Sequence, residues 1–330
     1  MLTAIDSAEV APNTLDSVDE TLEDIVQEFE RLGQYSHIAP KDGLHLAISL
    51  THRSMRAMAE LQELGWSRER IRALLEPAKR VHAESPFIRR LQTWPRGYAG
   101  DFETIEYLVQ QRNWAPVGRF SFWLEQYALS SGLAQQHRNK VDIQARTVLD
   151  TVLSDSTDIQ PKVLVLAAGG SPDLRQVETP LSTRRFNLVL LDQDSDALAF
   201  SAERLPIIAD RLALVQRNVV RGLADVRALG RFDLVMAGGL FDYLPNKVAS
   251  LVLRYAREHL LVPGGQLLFT NIAEPNPCRT WMEHMVDWVL IHRSEADLRQ
   301  LCWDAGFVDD AVSVAPERTG LTLVVRCLRV

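Results

Sequence analysis

The spacing of apolar residues divides the chain into a helical first part and a second part in which strands and helices alternate. In the first part apolar residues recur every three or four positions, the period of an amphipathic helix, and the first 90 residues contain no strand pattern. Residues 1 to about 17 are polar and small and are predicted to be irregular. The predicted helices run from Asp19 to about Gly33, from about Gly43 to Gly65, and onward from Ser67, which is predicted to cap the third.

In the second part, five short apolar runs alternate with helix-like segments, and two β-type runs joined by a short turn follow them. The five runs are Val163–Leu166, Leu188–Leu191, Ala213–Val215, Phe232–Met236 and Gln266–Thr270, and the final pair is about 306–314 and 321–328. This order is typical of a doubly wound parallel sheet that ends in an antiparallel hairpin. The predicted fold class is therefore α/β, with a Rossmann-like sheet of seven strands preceded by an all-helical region.

The charge and composition exclude several classes of protein. The chain of 330 residues has a formal net charge of −7 and a pI near 5.7, which argues against a general nucleic-acid or membrane-surface binder. Its three cysteines are not spaced for zinc or a disulfide framework, and its histidines form no metal-type cluster. The N-terminus lacks a signal-peptide pattern and no apolar run approaches the length of a membrane span, so we expect a cytoplasmic protein without a metal site.

The first predicted strand of the second part leads into a loop of very small residues, Ala167-Ala168-Gly169-Gly170-Ser171. Small residues at this point let the backbone of an α/β sheet approach a ligand, although two glycines are also common in a tight turn. The second strand ends about twenty residues later in Asp192. A small-residue loop followed at this spacing by an acid suits the ribose of a nucleotide-like cofactor.

A second unusual segment, Thr93–Asp101, combines glycines, a proline, two aromatic residues, an arginine and an acid before a predicted helix from Phe102 to Gln111. One interpretation is purely structural, with Asp101 as the cap of that helix. The other is a site role, because a surface turn seldom needs Trp94 and Tyr98 beside its glycines. The sequence leaves both interpretations open.

Five motifs in residues 135–330 resemble those of class I S-adenosylmethionine-dependent methyltransferases. They are the loop Ala167–Ser171, Asp192, Asn218, Phe232-Asp233-Leu234-Val235 and Pro263-Gly264-Gly265, the last being the expected turn into the fifth strand. The resemblance implies S-adenosylmethionine as cofactor, with backbone N–H groups near Gly169 and Gly170 facing its amino-acid part. It also implies that Asp192 accepts hydrogen bonds from both ribose hydroxyls and that Asn218 or Val219 meets the adenine edge. The full expected set of cofactor-binding residues is Arg138, Ala167, Gly169, Gly170, Asp192, Gln193, Asn218, Val219 and Gly238.

The loop departs from the family pattern at two positions. Val165 and Ala167 stand where the family commonly has an acid and a first glycine. An acid at that point helps to hold the ammonium group of the cofactor. Its absence leaves that charge to another residue and makes the amino-acid end of the cofactor the unusual part of the site.

The chain also resembles a narrower bacterial branch of the family that has an N-terminal helical extension. The resemblance rests on Arg96–Asp101, Arg138-Asn139 and the loop, and this branch includes enzymes similar to 3-hydroxy fatty acid methyl ester synthases. Azetidine-2-carboxylate synthases are similar in plan. The resemblance implies that residues 1–134 form a lid over a core of residues 135–330, and that Arg138 pairs with the cofactor carboxylate. It implies that Tyr98 and Asp101 close over the sulfonium.

Three functions are compatible with the sequence. The first is methyl transfer to a small molecule, possibly a carboxylate or a hydroxy acid, which needs alignment rather than a metal or a nucleophilic triad. The second is cyclisation of S-adenosylmethionine itself, which needs aromatic walls around the sulfonium. The third is a non-catalytic cofactor-binding module. The candidate catalytic residues are Tyr98, Asp101, Asn139, Asp242 and Tyr243, with His284 and His292 as further candidate bases. We expect a small-molecule partner and no nucleic acid or membrane partner, and the sequence does not indicate an oligomeric state.

Overall fold

The computed structural model describes residues 12–35, 37–154 and 160–330, and these form two compact units. The helical unit comprises the described residues of Met1–Gly100, Gln111–Ser131 and Pro277–Val289. The sheet unit comprises the described residues of Asp101–Gln110, Gly132–Asn276 and Leu290–Val330. The chain therefore passes between the two units several times. A lid role for residues 1–134 stays a prediction.

Twelve α-helices and seven strands make up the described residues. The helices are α1 Pro12–Gln34, α2 Pro40–Glu63, α3 Arg68–His82, α4 Pro86–Thr93, α5 Phe102–Gln110, α6 Phe120–Ser130, α7 Gly132–Leu153, α8 Pro172–Leu181, α9 Ser195–Glu203, α10 Val219–Ala228, α11 Asn246–Tyr255 and α12 Glu295–Asp304. The strands are β1 Lys162–Leu166, β2 Asn187–Asp192, β3 Leu212–Gln216, β4 Phe232–Ala237, β5 Leu261–Ile272, β6 Val312–Pro316 and β7 Thr322–Leu328. Among the described residues, no helix is both long enough and apolar enough to cross a membrane.

The helical unit confirms the helical period of the N-terminal sequence. The apolar positions of α1, α2 and α3 are buried, and the Ser67 hydroxyl accepts a hydrogen bond from the Arg70 amide as the predicted cap of α3. The prediction for residues 12–17 was wrong, because these residues are helical in α1. Residues 1–11 lie outside the described part of the chain.

A buried ion-pair cluster fixes the segment Pro277–Val289 within the helical unit. The Asp287 carboxylate lies 2.6 Å from the Lys79 Nζ and 2.6 Å from the Arg72 guanidinium. Asp287 itself has a φ of 57°, a left-handed conformation that an aspartate tolerates better than most residues. Both cations come from α3, so one carboxylate ties the segment to that helix.

The sheet unit confirms the predicted α/β fold. Its strands lie in the order β3-β2-β1-β4-β5-β7-β6, and β7 runs antiparallel to both of its neighbours, as the hairpin prediction requires. Apolar clusters cover the sheet on both faces, one of them built with α7 and α8 and the other with α10, α11 and α12.

Two details of the strand predictions were wrong. The strand β6 begins at Val312 and not near residue 306, because Asp309–Ala311 forms a 3₁₀ turn first. Residues 263–265, expected to be a turn before the fifth strand, lie inside β5, and the register of β4 with β5 shifts between Phe232 and Leu234. Gly264 has a φ of 78°, so the chain kinks there without leaving the sheet.

The topology brings four chain segments to one edge of the sheet. The carboxyl ends of β1, β2 and β4 lie there because these strands are parallel. Since β7 is antiparallel to β5, Thr322 at its start pairs with Ile272 at the end of β5, and the β6–β7 turn lies at the same edge. We call this edge the carboxyl edge.

Candidate functional site

The loop after β1 has an unusual backbone in which every second residue is left-handed. The φ angles of Ala167, Gly169 and Ser171 are 52°, 55° and 47°. Such angles are costly for alanine and serine, so the loop must be held by other contacts. The Ser201 hydroxyl supplies one, since it lies 2.8 Å from the Gly169 carbonyl and 3.1 Å from the Ser171 hydroxyl.

Asp192 holds the same loop from the end of β2. One of its carboxylate oxygens accepts from the Gly169 amide at 2.8 Å and the other accepts from the Asp194 amide at 2.9 Å. The side chain is buried, and burial raises the pKa of Asp192 against the opposing effect of these two hydrogen bonds. Each oxygen retains a second lone pair, so the carboxylate is able to accept two further hydrogen bonds from a ligand.

Two glycines of the site are required by close contacts. A Cβ at Gly170 would lie 2.9 Å from a carboxylate oxygen of Glu106 and 3.3 Å from the ring of Phe200. A Cβ at Gly238 would overlap the side-chain amide of Gln144. Gly169 donates its amide to Asp192, whereas the Gly170 amide makes no hydrogen bond with a described residue.

The residues expected at the adenine end form a small polar patch beside Asp192. Asn218 caps α10 through its bond from the Val220 amide, and its side-chain nitrogen lies 3.4 Å from the Gln193 amide oxygen. Val219 is buried in the first turn of the same helix. The structure thus brings Gln193, Asn218 and Val219 to the ends of β2 and β3, next to Asp192.

Asp242 is a buried acid in the segment that follows β4. Its carboxylate accepts from the Ile272 amide at 2.6 Å, and its backbone carbonyl accepts from the Ile291 amide at 2.8 Å. Burial raises the pKa of Asp242, while the positive charge of Lys140 opposes the rise. The neighbouring Tyr243 is partly exposed, with 38% of its surface accessible.

Arg138 and Asn139 begin the buried stretch of α7 but use different partners. The Arg138 guanidinium donates to the Leu108 carbonyl at 3.1 Å and to the Gln135 side chain at 2.9 Å. The Asn139 amide donates to Glu317 at 2.6 Å, across to the β6–β7 turn. The predicted pairing of Arg138 with a cofactor carboxylate therefore requires it to exchange its present partners.

The remaining candidates lie in different surroundings. Asp101 is buried and accepts from the Thr104 amide at 2.9 Å, which makes it the cap of α5 that the sequence predicted. Tyr98 belongs to the helical unit, as does His284, whereas Asp101 and His292 belong to the sheet unit. His284 contacts the Gln62 amide at 2.8 Å, and burial lowers its pKa to about 4.

Sequence reasoning missed two buried charges of the sheet unit. Lys140 is 4% exposed and follows Asn139 on α7. Asp173 is 3% exposed in the first turn of α8, and its Oδ2 has no hydrogen-bond partner among the described residues. The burial of either residue could not be read from the sequence, because a charged residue in an amphipathic helix normally faces water.

A pocket of about 510 Å³ lies between α5, α8 and α9, and two of its lining residues, Glu106 and Phe200, also contact the loop at Gly170. Its lining residues are Glu106, Val109, Gln110, Pro172, Arg175, Gln176, Phe200 and Arg204. Arg175 is paired with Glu106 there. None of the predicted site residues lines this pocket, so we place the candidate site at the carboxyl edge instead.

Solved structures share this architecture. A possible exported protein from Bordetella parapertussis is 16% identical, with a TM-score of 0.60 over 97% of this chain and 99% of that one. The CurJ carbon methyltransferase is 15% identical, with a TM-score of 0.51 over 96% of this chain and 92% of that one. A magnesium protoporphyrin IX methyltransferase from Synechocystis PCC 6803 with bound SAH is 14% identical, with a TM-score of 0.45 over 61% of this chain and 88% of that one.

The likeness to the CurJ carbon methyltransferase shows a methyltransferase-like α/β fold with a helical region before the sheet. No protein-family model matches the sequence. No curated protein matches it either. The function must therefore be argued from the site.

Proposed function

We propose that the protein is an S-adenosylmethionine-dependent methyltransferase that acts on a small molecule. The observation that carries this proposal is the left-handed loop after β1, held at Gly169 by the carboxylate of Asp192. Such a loop followed by an acid at the end of β2 suits a nucleoside with an extended 5′ substituent. The likeness of the fold to a carbon methyltransferase supports the same conclusion.

The residues present fit this cofactor. Asp192 has two free acceptor positions for ribose hydroxyls, and the Gly170 amide has no partner among the described residues. Asn218 and Gln193 provide polar groups for the adenine edge. When bound, S-adenosylmethionine supplies a methyl group on a positively charged sulfur. The protein's part is to hold that group and the acceptor in line and away from water.

The acceptor side of the site is then the segment that follows β4. Asp242 is held there by the Ile272 amide, and burial raises the pKa of its carboxyl, which makes it the acid of this segment best suited to exchange a proton with the acceptor. We infer that Asp242 faces the acceptor and that Tyr243 lines the same space. Asp101 and Asn139 of the sheet unit complete the proposed catalytic set there, and a catalytic role of Tyr98, which belongs to the helical unit, stays a prediction.

The proposal is tested first by binding. S-adenosylhomocysteine should bind the wild-type protein in calorimetry, and Asp192→Ala should weaken it by about tenfold to a hundredfold, since a hydrogen bond to a charged group is worth about 1.5–3 kcal/mol. The exposed Asp225→Ala serves as a control and should leave affinity unchanged. Absence of binding by the wild type would refute the proposed function.

Asp192 also holds the loop, so the ribose contact needs its own test. Methylthioadenosine and its 2′-deoxy form should be compared on wild type and Asp192→Asn. If Asp192 binds the ribose, removal of the hydroxyl weakens binding to the wild type by about tenfold and has little effect on the variant. An equal loss in both proteins would assign Asp192 to loop support alone.

The type of reaction is decided by incubation with S-adenosylmethionine alone. A methyltransferase should remain nearly idle until a small carboxylic or hydroxy acid is added, and should then release S-adenosylhomocysteine. Formation of methylthioadenosine without an added acceptor would overturn transfer in favour of cyclisation. Binding without either product would indicate a non-catalytic module.

A further inference from the structure

A line of polar residues runs along the buried side of α7. Gln136, Lys140 and Gln144 are spaced by four residues, so they lie on one face of the helix, and they are 2%, 4% and 8% exposed. This face is directed to the carboxyl edge, since Gln136 accepts from the Thr322 hydroxyl at 2.6 Å and the Gln144 amide packs against Gly238. Lys140 therefore lies between these two contacts, over the segments that follow β4 and β6.

The ammonium of Lys140 has no hydrogen-bond partner among the described residues of the carboxyl edge. Lys140 makes no hydrogen bond and no ion pair with any residue that the structure describes, although its side chain is buried. The contrast with Lys79 is direct, because that buried lysine lies 2.6 Å from Asp287. A largely buried charge without a protein hydrogen bond is costly, so its ammonium calls for a partner such as water or a bound anion.

Two carboxylates lie within electrostatic reach of Lys140, yet both are satisfied by other groups. Asp242 accepts from the Ile272 amide, and Glu317 accepts from the Asn139 side chain and the Thr319 and Leu321 amides. Burial lowers the pKa of Lys140, and these two acids oppose that shift. The ammonium thus stands among groups that favour its charge without occupying its hydrogen bonds.

The other titratable groups near this cluster do not offer a counter-charge. Burial and the charges of Lys140 and Arg138 lower the pKa of His137 well below its usual value, so it is neutral. Arg293, which faces Asp242, donates to the Phe241 carbonyl and to Asn271. His292 lies at the same edge, with its Nδ1 3.2 Å from the Leu290 carbonyl. None of these groups supplies an anion.

We propose that Lys140 is a binding residue for a carboxylate of the small molecule held at the carboxyl edge. The inference rests on the proposed function and narrows its substrate class. A carboxylate fits better than a phosphate, because the charges of Asp242 and Glu317 would oppose a dianion more strongly than a single charge. The carboxylate belongs either to the amino-acid end of the cofactor or to the acceptor, and the experiment distinguishes these sources.

The experiment measures the titration of the Lys140 side chain by NMR. The chain has only five lysines, so selective ¹³Cε-lysine labelling gives five NMR signals, and Lys140→Met identifies the one of interest. Its titration is recorded for the free protein, with methylthioadenosine, with S-adenosylhomocysteine, and with S-adenosylhomocysteine plus acetate or butyrate. Methylthioadenosine lacks the amino-acid carboxylate and is therefore the matched control for the cofactor.

Two outcomes support the proposal. A rise in the apparent pKa of Lys140 with S-adenosylhomocysteine and not with methylthioadenosine assigns the carboxylate to the cofactor, and Lys140→Met should then weaken S-adenosylhomocysteine by about tenfold or more. A rise only on addition of acetate or butyrate assigns it to the acceptor. In both cases the free Lys140→Met protein should melt at a higher temperature than the wild type, because an unpaired buried charge has been removed.

Two outcomes overturn it. A titration that no carboxylate moves, together with a lower melting temperature of Lys140→Met, would make Lys140 a structural partner of Asp242 and Glu317. Binding of S-adenosylhomocysteine with unchanged affinity in the variant and no response to acetate or butyrate would do the same. If the wild type does not bind S-adenosylhomocysteine but acetate still shifts the lysine signal, the proposed function fails and the carboxylate site remains.

Discussion

The buried acid at the start of α8 provides a quantitative test of the electrostatics of the sheet unit. Asp173 is 3% exposed and one of its carboxylate oxygens has no partner among the described residues. Burial raises its pKa from 3.8 to about 6, against the opposing effect of backbone hydrogen bonds in the first helical turn. The folded state therefore holds a proton on this group more tightly than the unfolded state does.

The sign of the effect on stability follows from that difference. Below about pH 3.8 the carboxyl is protonated in both the folded and the unfolded state, so it does not change stability. The loss of stability from burying the ionised carboxylate grows between the two pKa values and is complete above about pH 6. A difference of about 2 units corresponds to about 3 kcal/mol at pH 8 and to about 1 kcal/mol near pH 4.5. The wild type should therefore lose about 2 kcal/mol relative to a variant without this charge as the pH rises from 4.5 to 8.

Asp173→Asn is the appropriate change, and urea unfolding at several pH values is the measurement. The new amide changes the unfolding free energy of the variant, because its nitrogen is also buried, but this change is the same at every pH. The difference in unfolding free energy between variant and wild type should thus grow by about 2 kcal/mol in favour of the variant from pH 4.5 to 8. A difference that stays flat with pH would refute the assignment of a raised pKa to Asp173.

Glu178→Gln on the same helix is the matched control for the change from carboxyl to amide. Glu178 is also buried, but its carboxylate accepts from the Ile207 amide at 2.6 Å. Glutamine keeps an acceptor oxygen for that bond, so this variant should not become more stable than the wild type at pH 8. A gain equal to that of Asp173→Asn would mean that the effect is general to acids of this helix.

Two pairs of variants, each with its own control, test the packing by urea unfolding. Gly170→Ala should destabilise the sheet unit by about 1–3 kcal/mol, because the new Cβ would lie 2.9 Å from a buried carboxylate oxygen. The control is Gly239→Ala, whose Cβ would have no atom within 4 Å and should change stability by less than about 0.5 kcal/mol. Asp287→Asn should lower the unfolding free energy of the helical unit by about 2–4 kcal/mol, because it leaves the Lys79 charge buried without its partner. The control is Glu283→Gln, which breaks a pair with an exposed arginine and should lower it by less than about 1 kcal/mol. Equal effects within either pair would contradict the packing described.

The fold was predictable because its signals are local and repeat along the chain. The run Val163–Leu166 is apolar at every position, as a strand covered on both faces must be, and it pairs with β2 and β4 on either side. The predictions that failed concern the ends of elements. Residues 12–17 are helical although their sequence is small and polar, and the 3₁₀ turn at Asp309–Ala311 comes before β6. Neither changes the apolar period from which the elements were predicted.

The site was less predictable because its chemistry depends on which partners the fold supplies. The sequence indicated Asp192 and the loop, and the structure brings them into direct contact. The family resemblance also favoured Arg138, but its guanidinium donates to the Leu108 carbonyl. Lys140 lies two residues further along the same helix and faces the carboxyl edge. A rotation of 200° along a helix separates these two side chains, and only the packed structure shows which of them is buried without a partner.

The buried charges of the two units differ in a way that bears on function. In the helical unit, Lys79 is paired with Asp287, and Glu125 accepts from three donors, including the Trp114 amide. In the sheet unit, one carboxylate oxygen of Asp173 has no hydrogen-bond partner among the described residues. Lys140 is near the charges of Asp242 and Glu317 but makes no hydrogen bond with a described residue. Replacing either with an apolar residue of similar size would relieve a desolvation cost, so folding does not explain their presence. A role in binding would account for Lys140, which the titration of its ammonium tests, and both residues lie on the two helices that flank β1 in the sequence.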